Sequence, residues 1–261
     1  MITVKTKEEI AILREGGRRH AAILRELAAM VAPGVHIIDL DRHAAKLIAA
    51  GGDRSSFLNY KPYGARRPYP ATLCVSVTDE VVHGIPTEGD KVLKEGDVVT
   101  LDLGLVHKGM YTDAAITVPV GAVSTEVQSL IETTRVALAA GIKAARGGKH
   151  TGDIGNAIER VCLGQGYGLV EELCGHGVGY DVHEDPYVPN YGDPGRGDLL
   201  VPGLVISIEP IFTLGGKKIQ LDADGYTYHT ADGSIAAHEE HTVLITKGGA
   251  EILTAYATMA E

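Results

Sequence analysis

The chain has 261 residues, 44% of them hydrophobic and 22% charged, and a formal net charge of −10. This is the composition of a soluble globular protein near the upper size for one core. An acidic balance with no basic block argues against tight nucleic-acid binding.

Thr6-Lys7-Glu8-Glu9 reads as a capping box, followed by Ile10, Leu13, Ile23, Leu24, Leu27 and Val31 at helical spacing, with Pro33-Gly34 as the stop. A second helix is predicted from Asp39 to Ala50, ended by Gly51-Gly52. Residues 53–70 read as loop, and strand patterns run from Thr72 to Val120. Helical spacing returns from Ser124 to Ala145, with Thr125-x-x-Gln128 as the capping candidate, and again from Asp153 to Gly164. Strands follow, separated by a Pro- and Gly-rich stretch at 185–203. The order helix, helix, strands thus occurs twice. Gly34-x-His36-x-x-Asp39-Leu40 also recurs as Gly148-x-His150-x-x-Asp153-Ile154. In both copies the aspartate is expected to cap the next helix and the histidine to shape the turn. We expect one catalytic domain, residues 1–261, of mixed α+β class, built from related halves at roughly 1–120 and 121–261 with a site between them.

The three cysteines, Cys74, Cys162 and Cys174, are too few and too scattered for a disulfide framework or a thiolate zinc cluster. A reducing, cytoplasmic location fits. The amino-terminal segment is charged and has no signal core, and no window approaches the ~20 apolar residues of a membrane span.

Chemistry concentrates in five apolar, strand-like runs. They carry Asp102 in VVTLDLGL, Asp113 in MYTDAAITV, His176 in ELCGHGVG, Glu209 in VISIEPIF and Glu240 in EEHTVLIT. Acids are rarely buried unless paired or metal-bound, and these runs hold no matching Lys or Arg. A hairpin centred between His107 and Lys108 sets Asp102 directly opposite Asp113, with Cβ atoms about 4.5–5.5 Å apart. Two facing carboxylates can share a proton or bind metal. His176 and the two glutamates favour metal, and Gly175-His176-Gly177 leaves room for a ligand to approach. One nitrogen among oxygens suits Mn²⁺, Fe²⁺, Co²⁺ or Zn²⁺, and two divalent ions would balance four carboxylates. His83 and His183 can serve beside such a centre as proton carriers or oxyanion donors. Gly177 and Gly179 permit the bend that turns His176 and His183 to one cavity.

Taken in order, Val82-His83-Gly84-Ile85-Pro86, the two-aspartate hairpin, Gly175-His176-Gly177, Ile208-Glu209-Pro210 and Glu240-His241-Thr242 resemble methionine aminopeptidase of type I over nearly the whole chain. The resemblance implies the pita-bread fold, two αβ halves about a pseudo-twofold axis and a curved antiparallel sheet. It implies a dinuclear metal site held by Asp102, Asp113, His176, Glu209 and Glu240, with Asp113 and Glu240 bridging. In the implied reaction, metal-activated water attacks the first peptide bond of a nascent polypeptide and releases the initiator methionine when the second residue is small. Glu209 would be the general base, His83 would sit near the substrate amine and scissile peptide, and His183 would bond the scissile carbonyl. Tyr63, Cys74 and Tyr226, together with Tyr60, would line the methionine pocket. A monomer with transient ribosome association is the implied assembly. The short interval from Glu209 to Glu240 leaves no room for the helical insertion of type II enzymes, and the start at Met1 lacks the zinc-binding extension of longer forms. The chain departs from the family pattern at Thr78 (often Asn), Val82 (often Cys), Val182 (usually aromatic) and Tyr226 (frequently Trp), and in a longer Gly64–Pro70 stretch. The alternatives are a proline-specific pita-bread dipeptidase or aminopeptidase, for which the absent amino-terminal domain and His241 are out of pattern, and a non-catalytic binding relative.

Overall fold

A computed structural model describes residues 2–256; Met1 and residues 257–261 lie outside it. The first half comprises α1 (Lys7–Met30), α2 (Ile37–Ala50), β1 (Arg54–Ser55), β2 (Leu73–Val77), β3 (Glu80–Val82), β4 (Val98–His107) and β5 (Met110–Pro119). The second opens with α3 (Thr125–Ala144) and α4 (Thr151–Gln165), then β6 (Gly168–Leu169), β7 (Cys174–Gly177), β8 (Glu184–Pro189) and β9 (Val205–Ile208). It continues through β10 (Ile211–Thr213), β11 (Ile219–Leu221), β12 (Tyr228–Thr230), β13 (Ala236–His238), β14 (His241–Ile245) and β15 (Ala250–Ile252). Among the described residues no helix is long and apolar enough to cross a membrane.

The helix starts are local chemistry. Thr6 Oγ1 accepts from Glu9 N at 3.2 Å while Glu9 Oε2 accepts from Thr6 N at 2.7 Å, which closes the expected capping box. The other caps sit earlier than the sequence suggests. Ser124, not Thr125, caps α3, accepting from Val127 N at 3.2 Å. His36 and His150 occupy the N-cap positions of α2 and α4, which moves Asp39 and Asp153 to the first turn. Asp153 still satisfies an end group, because its Oδ2 accepts from His150 N at 2.9 Å. His36 and His150 each form an isolated antiparallel bridge, to Val92 and Leu199, so the repeated motif performs the same turn in both halves.

Every strand pairing is antiparallel. In the first half β4 pairs with β1, β2 and β5; in the second the order is β15-β14-β9-β7-β8. Each large sheet packs one face on its helices. Leu73, Val75, Leu101, Leu103 and Ala114 join Leu24, Leu27, Leu40 and Ile48 in one core. Ile206, Ile208, Val243 and Ile245 join Leu130, Ile131, Ile154 and Ile158 in the other. Each of these larger side chains contributes roughly 1.5–3 kcal/mol on burial. Side chains alternate along a strand, so Cys74, Asp102, Asp113, Ser207 and, just beyond β9 and before β14, Glu209 and Glu240 fall on the opposite faces. The helices cover one side of the structure, and the charged residues line the other.

The β4–β5 hairpin differs from the expected register. His107 pairs with Met110, so the two-residue turn is Lys108-Gly109. Both turn residues have positive φ, 47° and 84°, as a type I′ hairpin turn requires. The shift opposes Asp102 to Ala115 and Asp113 to Gly104. The aspartates are therefore diagonal neighbours, not direct partners. The offset between them is two residues, so they keep a common face.

Candidate metal centre and substrate cavity

The two halves are joined at the point where their acids meet. Glu240 N donates to Ala115 O at 2.9 Å, and Thr242 Oγ1 accepts from Asp113 N and donates to Asp113 O, at 2.9 and 2.7 Å. This stitch brings Asp113 beside Glu240. Single ligand atoms of Asp113, His176 and Glu240 lie within 4.8 Å of one another, a spacing that one cation can span. His176 Nε2 stands 3.9 Å from Asp113 Oδ2 and 3.6 Å from Glu209 Oε1. Asp102 reaches the same cavity from β4.

Four carboxylates in this space destabilise one another. Burial, and then the charge of Glu240, pushes Asp102, Asp113 and Glu209 well above the ordinary carboxylate range. Burial raises Glu240 to about 7, although the Ser207 hydroxyl donates to its Oε1. Oδ1 of Asp102 and Oδ1 of Asp113 are buried with no hydrogen-bond partner among the described residues. Among the described residues no Lys or Arg lines the cavity. Orphaned anionic oxygens with no neighbouring cation, beside a neutral imidazole lowered to about 3 chiefly by burial, are the donor set of a divalent-metal site. The residues fit the ions that the family implies.

Supporting groups hold the candidate ligands. Asn190, fully buried, donates through Nδ2 to Glu209 O at 2.9 Å. His176 Nδ1 lies 3.0 Å from Gly177 O, which leaves Nε2 facing the carboxylates. The glycines around His176 serve packing of the chain itself. A methyl group at Gly175 would collide with Ser207 O, and one at Gly177 with Asp185 O. The room expected there for a ligand is filled by neighbouring backbone.

A cavity of about 900 Å³ opens from this cluster. His83 and His183 both line it. The bend after Gly177 stacks His183 edge-on to His176, with ring centroids 4.5 Å apart. Tyr60 Oη lies 3.0 Å from His183 Nδ1. Burial and the nearby His183 lower His83 to about 4, and desolvation in the cavity also lowers His183, although its side chain remains solvent-accessible. His83 adopts a φ of 59°, a strained conformation for a non-glycine residue that is common at functional sites.

The apolar end is walled by Phe57, Tyr60, Ala65, Tyr69, Cys74 and Tyr226. Cys74 pairs across the sheet with Asp102, so the wall and the acids share one strand pair. Tyr226 packs edge-on against Tyr69, centroids 5.2 Å apart, and donates its hydroxyl to Arg67 O. Tyr63, expected in this wall, points away and is fully exposed. It sits in a turn in which Ala65 N donates to Pro62 O, and the turn aims its side chain outward. Val182 is buried behind the wall. Phe57 and Tyr69 were not singled out from the sequence, because an aromatic in a loop carries no periodic signal. His238 was also missed, although it lies two residues before Glu240 and alternation gives them a common face.

Comparison with known proteins agrees with this construction. Residues 11–247 match the model of metallopeptidase family M24. The methionine aminopeptidase of Aquifex aeolicus is 44% identical over 97% of this chain and 98% of its own. The crystal structure of methionine aminopeptidase from Thermotoga maritima superposes with a TM-score of 0.91 at 39% identity, covering 97% of this chain and 99% of that one. Prolidase from Pyrococcus furiosus, at 24% identity and a TM-score of 0.75, shares the pita-bread fold, and this chain covers 65% of it. Between Glu209 and Glu240 the chain forms only the short strands β10 to β13, with no helical insertion. The chain belongs to metallopeptidase family M24 and, within it, to the methionine aminopeptidases.

Proposed function

We propose that this chain removes the N-terminal methionine of newly made polypeptides with two divalent ions held by Asp102, Asp113, His176, Glu209 and Glu240, Asp113 and Glu240 bridging. The observation that carries the reading is the pairing of an uncompensated carboxylate cluster with an apolar, aromatic-walled pocket in one cavity. When bound, the ions would supply Lewis-acid polarisation of the scissile carbonyl and of the attacking water. Manganese, iron, cobalt or zinc suits the donor set.

The protein's own groups do the rest. Phe57, Tyr69, Cys74 and Tyr226 accept an unbranched, polarisable side chain such as methionine's, with sulfur against aromatic edges. His183, held by Tyr60, donates to the carbonyl oxygen as charge develops there. Glu209 takes the proton of the attacking water and passes it to the departing amine as the carbon–nitrogen bond breaks. His83 sits where it can bond the substrate amine or the scissile peptide. A small second residue, a monomeric enzyme of one catalytic unit, a cytoplasmic location and transient engagement at the ribosome complete the proposal.

The test compares Met-Gly-Met with Gly-Pro peptides across divalent metals under anaerobic conditions. Release of methionine by the wild type and its loss in Glu209→Gln are expected. Preferential cleavage of the proline peptides, or full activity in Glu209→Gln, overturns the assignment.

A further inference from the structure

The centre contains a second imidazole. His238, on β13, is 2% exposed and lines the cavity. Its Nε2 stands 3.7 Å from Glu209 Oε2 and 3.8 Å from Glu240 Oε2. Neither ring nitrogen has a hydrogen-bond partner among the described residues. The arrangement repeats that of His176, whose Nε2 stands 3.6 Å from the other Glu209 oxygen, Oε1, and 3.9 Å from Asp113 Oδ2. Glu209 therefore lies between two imidazoles, one facing each oxygen.

These separations are too long for hydrogen bonds, which close at about 2.7–3.2 Å. They do suit a shared cation: two donors each about 2.1 Å from one ion at about 120–135° lie roughly 3.6–3.9 Å apart. A buried imidazole with no protein partner, facing two uncompensated acids, is most simply stabilised by donating its lone pair to a cation between them.

We propose that His238 ligates the second ion, so that each ion of the pair carries one imidazole, His176 on one and His238 on the other, each imidazole facing a different oxygen of Glu209. The proposal rests on the two-metal reading above and adds a nitrogen to its five ligands.

The experiment uses the full chain loaded with Co²⁺. Cobalt stoichiometry and affinity are measured by titration of the visible absorption. Ligating imidazoles are counted as solvent-exchangeable, paramagnetically shifted ring N–H resonances. Two such resonances are expected in the wild type. His238→Gln, which keeps an N–H donor and similar volume, should lose one resonance and weaken the second cobalt equivalent at least tenfold while keeping the first. His238→Leu should do the same, and circular dichroism of both metal-free variants checks folding. One imidazole resonance in the wild type, or unchanged second-site affinity in His238→Gln, overturns the role of His238 alone. A wild type that takes up no cobalt overturns the two-metal reading and this proposal with it.

Discussion

Lys5 lies far in sequence from every proposed ligand, yet it holds the loop that presents His183. Its ammonium side chain is fully buried and pairs with Glu184 Oε2 at 2.8 Å, beside Thr3 Oγ1, which donates to the same oxygen. The other oxygen, Oε1, accepts from the backbone N–H groups of Tyr180 and Asp181, the latter at 3.1 Å. Glu184 thus fastens both sides of the turn that ends in His183. Replacing Lys5 by Met keeps the stem's packing and removes the charge. It leaves a mostly buried carboxylate with three of its four donors. Loss of a charge-assisted bond costs about 1.5–3 kcal/mol, and a broken buried pair up to about 5. With the remaining donors in place we expect about 2–3 kcal/mol. At about 2–4 °C per kcal/mol for a chain of this size, the melting temperature of Lys5→Met should fall by roughly 5–10 °C. Thermal denaturation followed by circular dichroism measures it. Lys5→Met/Glu184→Gln should recover part of the loss, because the unpaired charge is gone. Burial opposes ionisation of Glu184, but the bonds from Lys5 and Thr3 outweigh it and lower its pKa below 4.5. The stabilisation from this carboxylate is therefore complete above its unfolded pKa and fades as pH falls through the lower folded value. A Lys5→Met protein that melts with the wild type, or strictly additive single and double variants, would refute the argument.

Three further outcomes follow from the same reasoning. The carboxylates of the centre are raised in the fold, Glu240 to about 7, so their contribution to stability is present below the unfolded pKa and lost as pH rises through the folded one. Protein stripped with EDTA should melt lower at about pH 8 than at about pH 5.5, and Mn²⁺ should restore more stability at the higher pH; equal recovery at both would count against a buried, uncompensated cluster. Thr78 carries a φ of 62°, a conformation costing a β-branched residue about 1–2 kcal/mol. Thr78→Asn should raise unfolding free energy by about 0.5–1 kcal/mol in urea denaturation, and a loss would show that the 3.4 Å contact from Thr78 Oγ1 to Asp97 matters more. Tyr60→Phe should lower kcat about tenfold by freeing His183, whereas Tyr63→Ala, at an exposed turn, should leave kcat/KM within about twofold. The reverse ranking in steady-state kinetics would place Tyr63, not Tyr60, at the substrate.

Much of this protein is legible along the chain. The Thr6–Glu9 box, the helical spacing of both pairs of helices and the doubled turn motif all depend on contacts within a few residues, so sequence alone determines them. The candidate ligand positions are legible for a related reason. Asp102, Asp113, Glu209 and Glu240 stand in or beside runs whose other residues belong in a core, and strand alternation puts them opposite the helix-packed face. What only the tertiary structure decided depends on pairing between distant segments. The Lys108-Gly109 turn shifts the hairpin register by two residues from the expected one and makes Asp102 and Asp113 diagonal, and the separate β2–β4 pairing sets Cys74 opposite Asp102. The bonds from Ala115 to Glu240 and from Asp113 to Thr242 brought acids of the two halves together. The same closure placed His238 against Glu209, backbone bonds from Tyr60 to Phe57 and from Tyr69 to Tyr60 hold Tyr60 at the cavity, and the Pro62–Ala65 turn sends Tyr63 to solvent. Short-range hydrogen bonding and periodicity are written in neighbouring residues, whereas register and the meeting of two sheets emerge when long segments compete to bury their apolar faces.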